Sequence, residues 1–288
     1  MKISRPRLFV ADAQDEGSTL GKFLAERLKE YSGKQIKSMI DAGTVCVNKK
    51  ILQRSSYRIC AGDSIEAYVN IFAKRKKISS EIGIIYETSH YFLCFKPIEM
   101  PSEEDSFCRA LGKTVFPVHR LDKETSGIIL VAKTAEAQKK LQKIFRERKI
   151  SKKYIAIVEG RLKKKKGELE GFFAKKRQIQ GQSLWTGKAR QGLYALTMYE
   201  VLQEYVRYSL LALMPYTGRT HQLRVQCSEL GHPIVGDCQY GSKTVAERMF
   251  LHAYELAFED PFAKKMVSKK APIPQEFKAF LQKAGQKL

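Results

Sequence analysis

The chain has 288 residues, and 52 Lys and Arg against 30 Asp and Glu give a formal net charge of +22. No apolar run approaches the ~20 residues of a membrane-spanning helix, and residues 1–17 hold no apolar stretch of signal-peptide length, so a cytoplasmic protein with no membrane partner is expected. The six cysteines form no C-x-x-C pair and the five histidines no H-E-x-x-H, which favours free thiols in a reducing compartment and no metal site. Basic residues recur along the whole chain, at 74–77, 139–143, 149–153, 163–166 and 175–177. A field of that sign attracts polyanions, of which nucleic acid is the commonest, although any single run reads equally well as a solvated face.

In chain order, Leu20, Phe23, Leu24 and Leu28 fall at helical spacing, and Ile36, Met39 and Ile40 repeat it after the Ser32-Gly33 break. Residues 44–47 then read as a strand, Asn48-Lys49-Lys50 as a turn into a second, and Gly62-Asp63 as a turn before the alternating strand 64–69. Lys34, Lys37, Lys49, Lys50 and Arg54 cluster around the second helix and the hairpin. This ordered set, with Gly43-Thr44-Val45-Cys46-Val47-Asn48-Lys49-Lys50 as its core, resembles the α-L (S4-like) RNA-binding domain. The resemblance covers roughly 16–69, implies a small domain over 1–73, and makes those five basic residues the candidate RNA contacts. The run Lys74-Arg75-Lys76-Lys77 reads as a basic linker over 74–81.

A second pattern fills 82–288. Strands are expected at 82–86, 91–96 and 127–132, and a helix from Thr134 with Leu141, Ile144, Phe145 and Arg148 on one face. Further strands are expected at 154–158, 194–202 and 208–214. Strands and helices in this arrangement predict an α+β fold, a mostly antiparallel mixed sheet with flanking helices. The sharpest segment is Val118-His119-Arg120-Leu121-Asp122-Lys123-Glu124-Thr125-Ser126-Gly127. It sets a carboxylate beside an arginine in a short polar loop before a buried strand, either a structural ion pair or a loop-borne catalytic group.

That segment resembles the H-R-L-D-x-x-T-S-G signature of the RluA-type pseudouridine synthases. Three further stretches resemble the same family in order: Lys152-Lys153-Tyr154 with 155–160, Pro215-Tyr216-Thr217-Gly218-Arg219-Thr220-His221-Gln222-Leu223-Arg224-Val225, and Gly231 to Gly241 with Leu251-His252-Ala253. The resemblance implies Asp122 as the catalytic carboxylate, Tyr154 packed on the target base, and Arg224 as the partner that keeps the aspartate ionised. It also implies that Arg120, with His119 beside it, enters the RNA stack where the uridine leaves it. Thr220 is expected to cap the helix that carries Arg224, with Gly231 ending it; His232 and His252 read as scaffold. Two positions depart from the family pattern. N-K-P-x-G is here Phe95-Lys96-Pro97-Ile98-Glu99, and Gln226 stands where histidine is common. The stretch 163–190 is a basic insert.

The implied reaction isomerises a uridine to pseudouridine. The N1–C1′ bond breaks and the base rejoins through C5, with no redox cofactor, nucleotide or metal. Whether Asp122 attacks C1′ or removes a sugar proton stays open. The implied partner is RNA, with large-subunit ribosomal RNA favoured, and a monomer is expected. The alternative is a catalytically inactive RNA-binding or ribosome-assembly factor, which composition and the N-terminal pattern fit equally well.

Overall fold

The computed structural model describes residues 5–77, 81–179 and 182–285. The chain divides into two compact units, Met1–Ile78 with Gly241–Arg248, and Ser79–Tyr240 with Met249–Leu288. The first unit is built from β1 (Arg7–Val10), α1 (Leu20–Arg27), α2 (Gly33–Asp41), β2 (Val45–Val47), β3 (Lys50–Ile51), β4 (Ser64–Ala67) and α3 (Val69–Lys77). The basic run at 74–77 is therefore the last turn of a helix and not a linker; residues 78–80, the rest of that expected linker apart from residue 81, lie outside the described residues. From sequence, Val69 is the end of a strand; it starts α3 instead.

Local chemistry sets these elements. The Thr19 hydroxyl accepts the Lys22 N–H at the start of α1, and Ser32 and Gln35 cap α2 reciprocally. The helical stripes Leu20, Phe23, Leu24 and Ile36, Met39, Ile40 are fully buried against Val45, Val47 and Ile65. The strands run in the order β1-β4-β2-β3, all antiparallel. Asn48 and Lys49, at φ 49° and 64°, make the two-residue turn between β2 and β3. The Asn48 amide holds that turn by donating to Asp63 and accepting from Ser64 N–H.

The second unit carries β5 (Gly83–Glu87), β6 (Tyr91–Lys96), α4 (Glu104–Leu111), β7 (Phe116–Pro117), β8 (Ser126–Ala132), α5 (Ala135–Arg146), β9 (Ile150–Glu159), β10 (Lys166–Ile179), β11 (Gln182–Thr186), β12 (Leu193–Glu204), β13 (Tyr208–Pro215), α6 (Gln222–Glu229), β14 (Leu251–Glu259), β15 (Met266–Lys270) and α7 (Gln275–Gly285). Among the described residues its strands form one sheet, β11-β10-β12-β13-β9-β14-β8-β6-β5, with β15 on β14 and β7 on β8. The fold is α+β, and β14 with β8 is the one parallel pair among these strands. At that pairing Gly127 sits at φ +123°, and a Cβ there would lie 2.2 Å from the Ala253 carbonyl oxygen, so the two backbones can approach only at glycine.

Strand β8 is buried on both faces, as its unbroken apolar sequence requires. Its core gathers Tyr91, Phe92, Leu93, Phe107, Leu141 and Phe258. A neighbouring core, under β9 and β13, gathers Ala156, Val158, Leu211, Leu223 and Cys227. Thr134 caps α5, its hydroxyl accepting the Ala137 N–H. Arg148 is not on the α5 face: the helix ends at Arg146, and Arg148 takes φ 57° in the turn into β9. The insert 163–190 contributes β10 and β11 at the sheet edge.

Candidate active site

Asp122 lies in the loop between β7 and β8. Val118 and Leu121 bury into the core, while Arg120 is exposed and Asp122 is 18% exposed at the wall of a cleft. The loop backbone is held on both sides of the aspartate. The Ser102 hydroxyl donates to the Leu121 carbonyl (2.8 Å) and accepts its N–H (3.0 Å). The Lys96 ammonium, fully buried, donates to the carbonyls of Pro97, Met100 and Lys123. Glu99 N–H also reaches the Lys123 carbonyl, and Thr125 N–H closes a turn onto the Asp122 carbonyl. Such fixing on rigid elements is what a reacting group requires.

Glu99 stands where the family pattern has glycine, and its φ is 63°. The loop shape that glycine favours is thus kept by a residue with a side chain, at a cost of about 1 kcal/mol. The Glu99 carboxylate meets the Lys123 ammonium at 3.0 Å.

Arg224, on α6, is 4% exposed, so its charge must be matched. Its principal partner is Asp237, bound through Nε and Nη2 at 2.8 Å each, with Gln239 accepting a third bond from Nη2. Nη1 faces the Asp122 carboxylate at 3.4 Å. Arg224 thus reaches Asp122 as expected, but with its fork already anchored. Burial works against the guanidinium charge, and Asp237 and Asp122 more than offset it, so the pKa rises. Asp237 is missed from sequence because an aspartate after glycine reads as a turn.

His221 is a second residue that sequence reasoning passes over. It takes φ 56° at the N-terminus of α6, so this histidine and not Thr220 occupies the capping position, and it makes no side-chain cap. Gln222 does the local work instead: its Oε1 accepts from Arg219 N–H and the Thr217 hydroxyl. The Tyr240 hydroxyl accepts Trp185 N–H and meets His221 Nδ1 at 2.8 Å. The other ring nitrogen, Nε2, lies 3.9 Å from Asp122 Oδ1. Burial, then Arg224, lowers the His221 pKa, so the ring is neutral at neutral pH.

Tyr154 on β9 packs between the two cores and lines the cleft. Burial, with the Asp122 charge, pushes its phenol pKa up, so it is a neutral ring and not a phenolate. His119 does not share the outward setting of Arg120. Its Nε2 accepts the Leu130 N–H at 3.1 Å, and its ring stacks on Phe145 at 4.6 Å. Burial, with the nearby Lys152 charge, lowers its pKa to about 3. The imidazole thus extends the β7–β8 pairing and helps to hold the loop. Gln226 is likewise structural, bonded to Thr197 and the Leu169 carbonyl.

Arg120, Asp122, Lys152, Tyr154, the turn 217–221 and Arg224 line one cleft, with a cavity volume of about 130 Å³. In the first unit Lys34, Lys37, Lys49, Lys50 and Arg54 are all exposed.

A carboxylate held beside a buried arginine, with a tyrosine lining the same cleft, forms the candidate site of this α+β fold. The description "RNA pseudouridylate synthase" matches residues 90–229, and "S4 domain" matches residues 20–65. An uncharacterized RNA pseudouridine synthase of Aquifex aeolicus is 32% identical over 97% of each chain. Ribosomal large subunit pseudouridine synthase D of Haemophilus influenzae is 30% identical over 93% of this chain and 92% of its own length. The structure of human RNA Pseudouridylate Synthase Domain Containing 1 superposes with a TM-score of 0.60 at 28% identity, covering 68% of this chain and 84% of that one. The chain belongs to the RNA pseudouridylate synthase family and carries an S4 domain; it is an isomerase that acts on RNA.

Proposed function

We propose that the protein converts specific uridines of large-subunit ribosomal RNA to pseudouridine, as a monomer in the cytoplasm. The observation that carries the reading is the convergence of Asp122, Tyr154 and Arg224 on one cleft with Arg120 at its rim. The names of the Haemophilus influenzae relative and of ribosomal large subunit pseudouridine synthase C of Escherichia coli, 29% identical over 98% of each chain, support the choice of RNA.

In this reading the target uridine leaves its helix, and Arg120 fills the gap; extruding it costs about a few kcal/mol, offset by new contacts. Tyr154 packs on the uracil, and its neutral phenol leaves the base free to turn. Asp122 acts on the nucleoside as the N1–C1′ bond breaks. Arg224 Nη1 faces one of its oxygens and His221 Nε2 the other, and the arginine holds the carboxylate's direction. The base rejoins through C5, and the C5 proton is lost as N1 regains one. Lys34, Lys37, Lys49, Lys50 and Arg54 give the S4 unit a basic surface for RNA phosphates.

The test is tritium release from RNA labelled at uridine C5, run on large-subunit ribosomal RNA, small-subunit ribosomal RNA and tRNA. Release is expected from the large-subunit RNA alone. Asp122→Asn should lower it by about a thousandfold or more while changing RNA affinity by less than about threefold. Binding without release from any RNA, including assembled precursor particles, would leave a binding factor.

A further inference from the structure

Lys152 stands two residues before Tyr154 on β9, so the alternation of the strand turns both side chains to the cleft. Its ammonium donates to the Thr217 carbonyl at 3.1 Å. An ammonium has three donors, and one carbonyl occupies one of them. Other inward cations of this chain are matched: Arg224 by Asp237, Arg27 by Asp15, Lys96 by three carbonyls. Lys152 has no carboxylate at salt-bridge distance among the described residues, and neither has Arg148 nearby. The Arg148 guanidinium lies over the exposed Tyr216 ring at 5.1 Å, in a left-handed backbone conformation unusual for a side chain of that size. A side chain at Gly218 would stand 3.8 Å from the Lys152 ammonium, so glycine leaves the approach to it open.

Lys152 at the wall of the cleft and Arg148 near it thus have no carboxylate at salt-bridge distance among the described residues. Burial, and then Arg148, lowers the Lys152 pKa to about 8. The other ionisable groups around this wall are His119, held neutral, and Asp122, Arg120, Tyr154, Arg219, His221 and Arg224, which line the same cleft. Such a cost is offset if the missing charge arrives with the ligand.

We propose that Lys152, backed by Arg148, is a phosphate subsite: it takes the backbone phosphate attached to the nucleoside that enters the cleft. This rests on the cleft being the uridine site, as read above. The lysine holds the sugar end of the nucleotide while Tyr154 holds the base. The reacting C1′ is thereby fixed from both sides against Asp122. Lys152 is a positioning residue and takes no part in breaking the glycosidic bond.

The test uses the full chain with its lysines ¹³C-methylated and followed by NMR, with uridine, uridine 5′-monophosphate and uridine 3′-monophosphate as probes. The Lys152 resonance is the one absent from Lys152→Arg. Its titration midpoint should rise by about one pH unit or more with one of the nucleotides and stay in place with uridine. Equal response to uridine and both nucleotides, or no response, overturns the subsite. On the RNA that releases tritium, Lys152→Met should raise KM about tenfold with kcat within about threefold, and Lys152→Arg should restore most of the loss. A loss confined to kcat, with KM unchanged, also overturns it. The two readings separate cleanly. A nucleotide-selective shift without tritium release from any RNA keeps the subsite and removes the isomerase reading. Release without the shift does the reverse.

Discussion

At the residue scale, one guanidinium faces three carboxylates in unlike ways, with Glu124 the most distant at 3.9 Å. Asp237 is 1% exposed and takes Arg224 in a bidentate bond, whereas Asp122 takes one longer contact at the cleft. Asp237 therefore fixes the arginine, and the arginine orients Asp122. Asp237→Asn should leave a buried charge unpaired and cost about 3–5 kcal/mol, read as a lowered Tm, with turnover falling as Nη1 swings out of line. A melting curve within a degree of wild type would contradict this. His119 carries a pH signature. Its folded pKa of about 3 lies below the usual histidine value, so between pH 6.5 and 3 the unfolded chain binds a proton that the folded chain refuses. Stability must then fall as pH drops through that window, by at most about 1.4 kcal/mol per pH unit for one proton. His119→Gln, with nothing to titrate, should give a shallower acid limb of Tm against pH. Parallel limbs in the two proteins would refute it.

At the element scale, the site hangs on the loop between β7 and β8 and on the pair β8–β14. Gly127→Ala puts a methyl group into the Ala253 backbone, which has no side-chain end that could yield. We expect about 3 kcal/mol or more of destabilisation, or insoluble protein, read by denaturant unfolding; a midpoint like that of wild type would mean the strands can separate there at no cost. Much of this architecture was legible in the sequence. Periodicity locates α1, α2, β6, β8 and the start of α5, because each buries a face whose spacing matches its backbone period. Asp122, Tyr154 and Arg224 were legible through their motifs. What was hidden depends on distant partners. The bond from Lys96 to the Lys123 carbonyl, the two bonds of Ser102 to Leu121 and the anchoring of Arg224 by Asp237 all join segments that no local pattern connects. The left-handed Glu99 was hidden for a related reason, since its conformation is imposed by Lys123 across the loop. The run at 74–77 misled because lysine and arginine are good helix formers as well as linker residues.

At the scale of the whole molecule, the +22 charge is a quantity that acts at a distance. RNA binding should weaken steeply with salt, log K falling against log salt with a slope of about −0.7 to −0.9 per phosphate engaged. Filter binding between about 50 and 200 mM salt measures it; a flat line would mean the basic residues are not meeting phosphates. The two units divide the labour, one offering exposed lysines and the other a cleft. Within the second, the loop of Asp122 is clamped by a strand that lies well over a hundred residues further along the chain, where His252 and Ala253 pair in parallel with Ser126 and Gly127. While the chain is still being made, a nascent protein that has released every motif up to Arg224 still lacks that clamp. Catalytic competence therefore arrives late in synthesis and all at once, after β14 has left the exit tunnel.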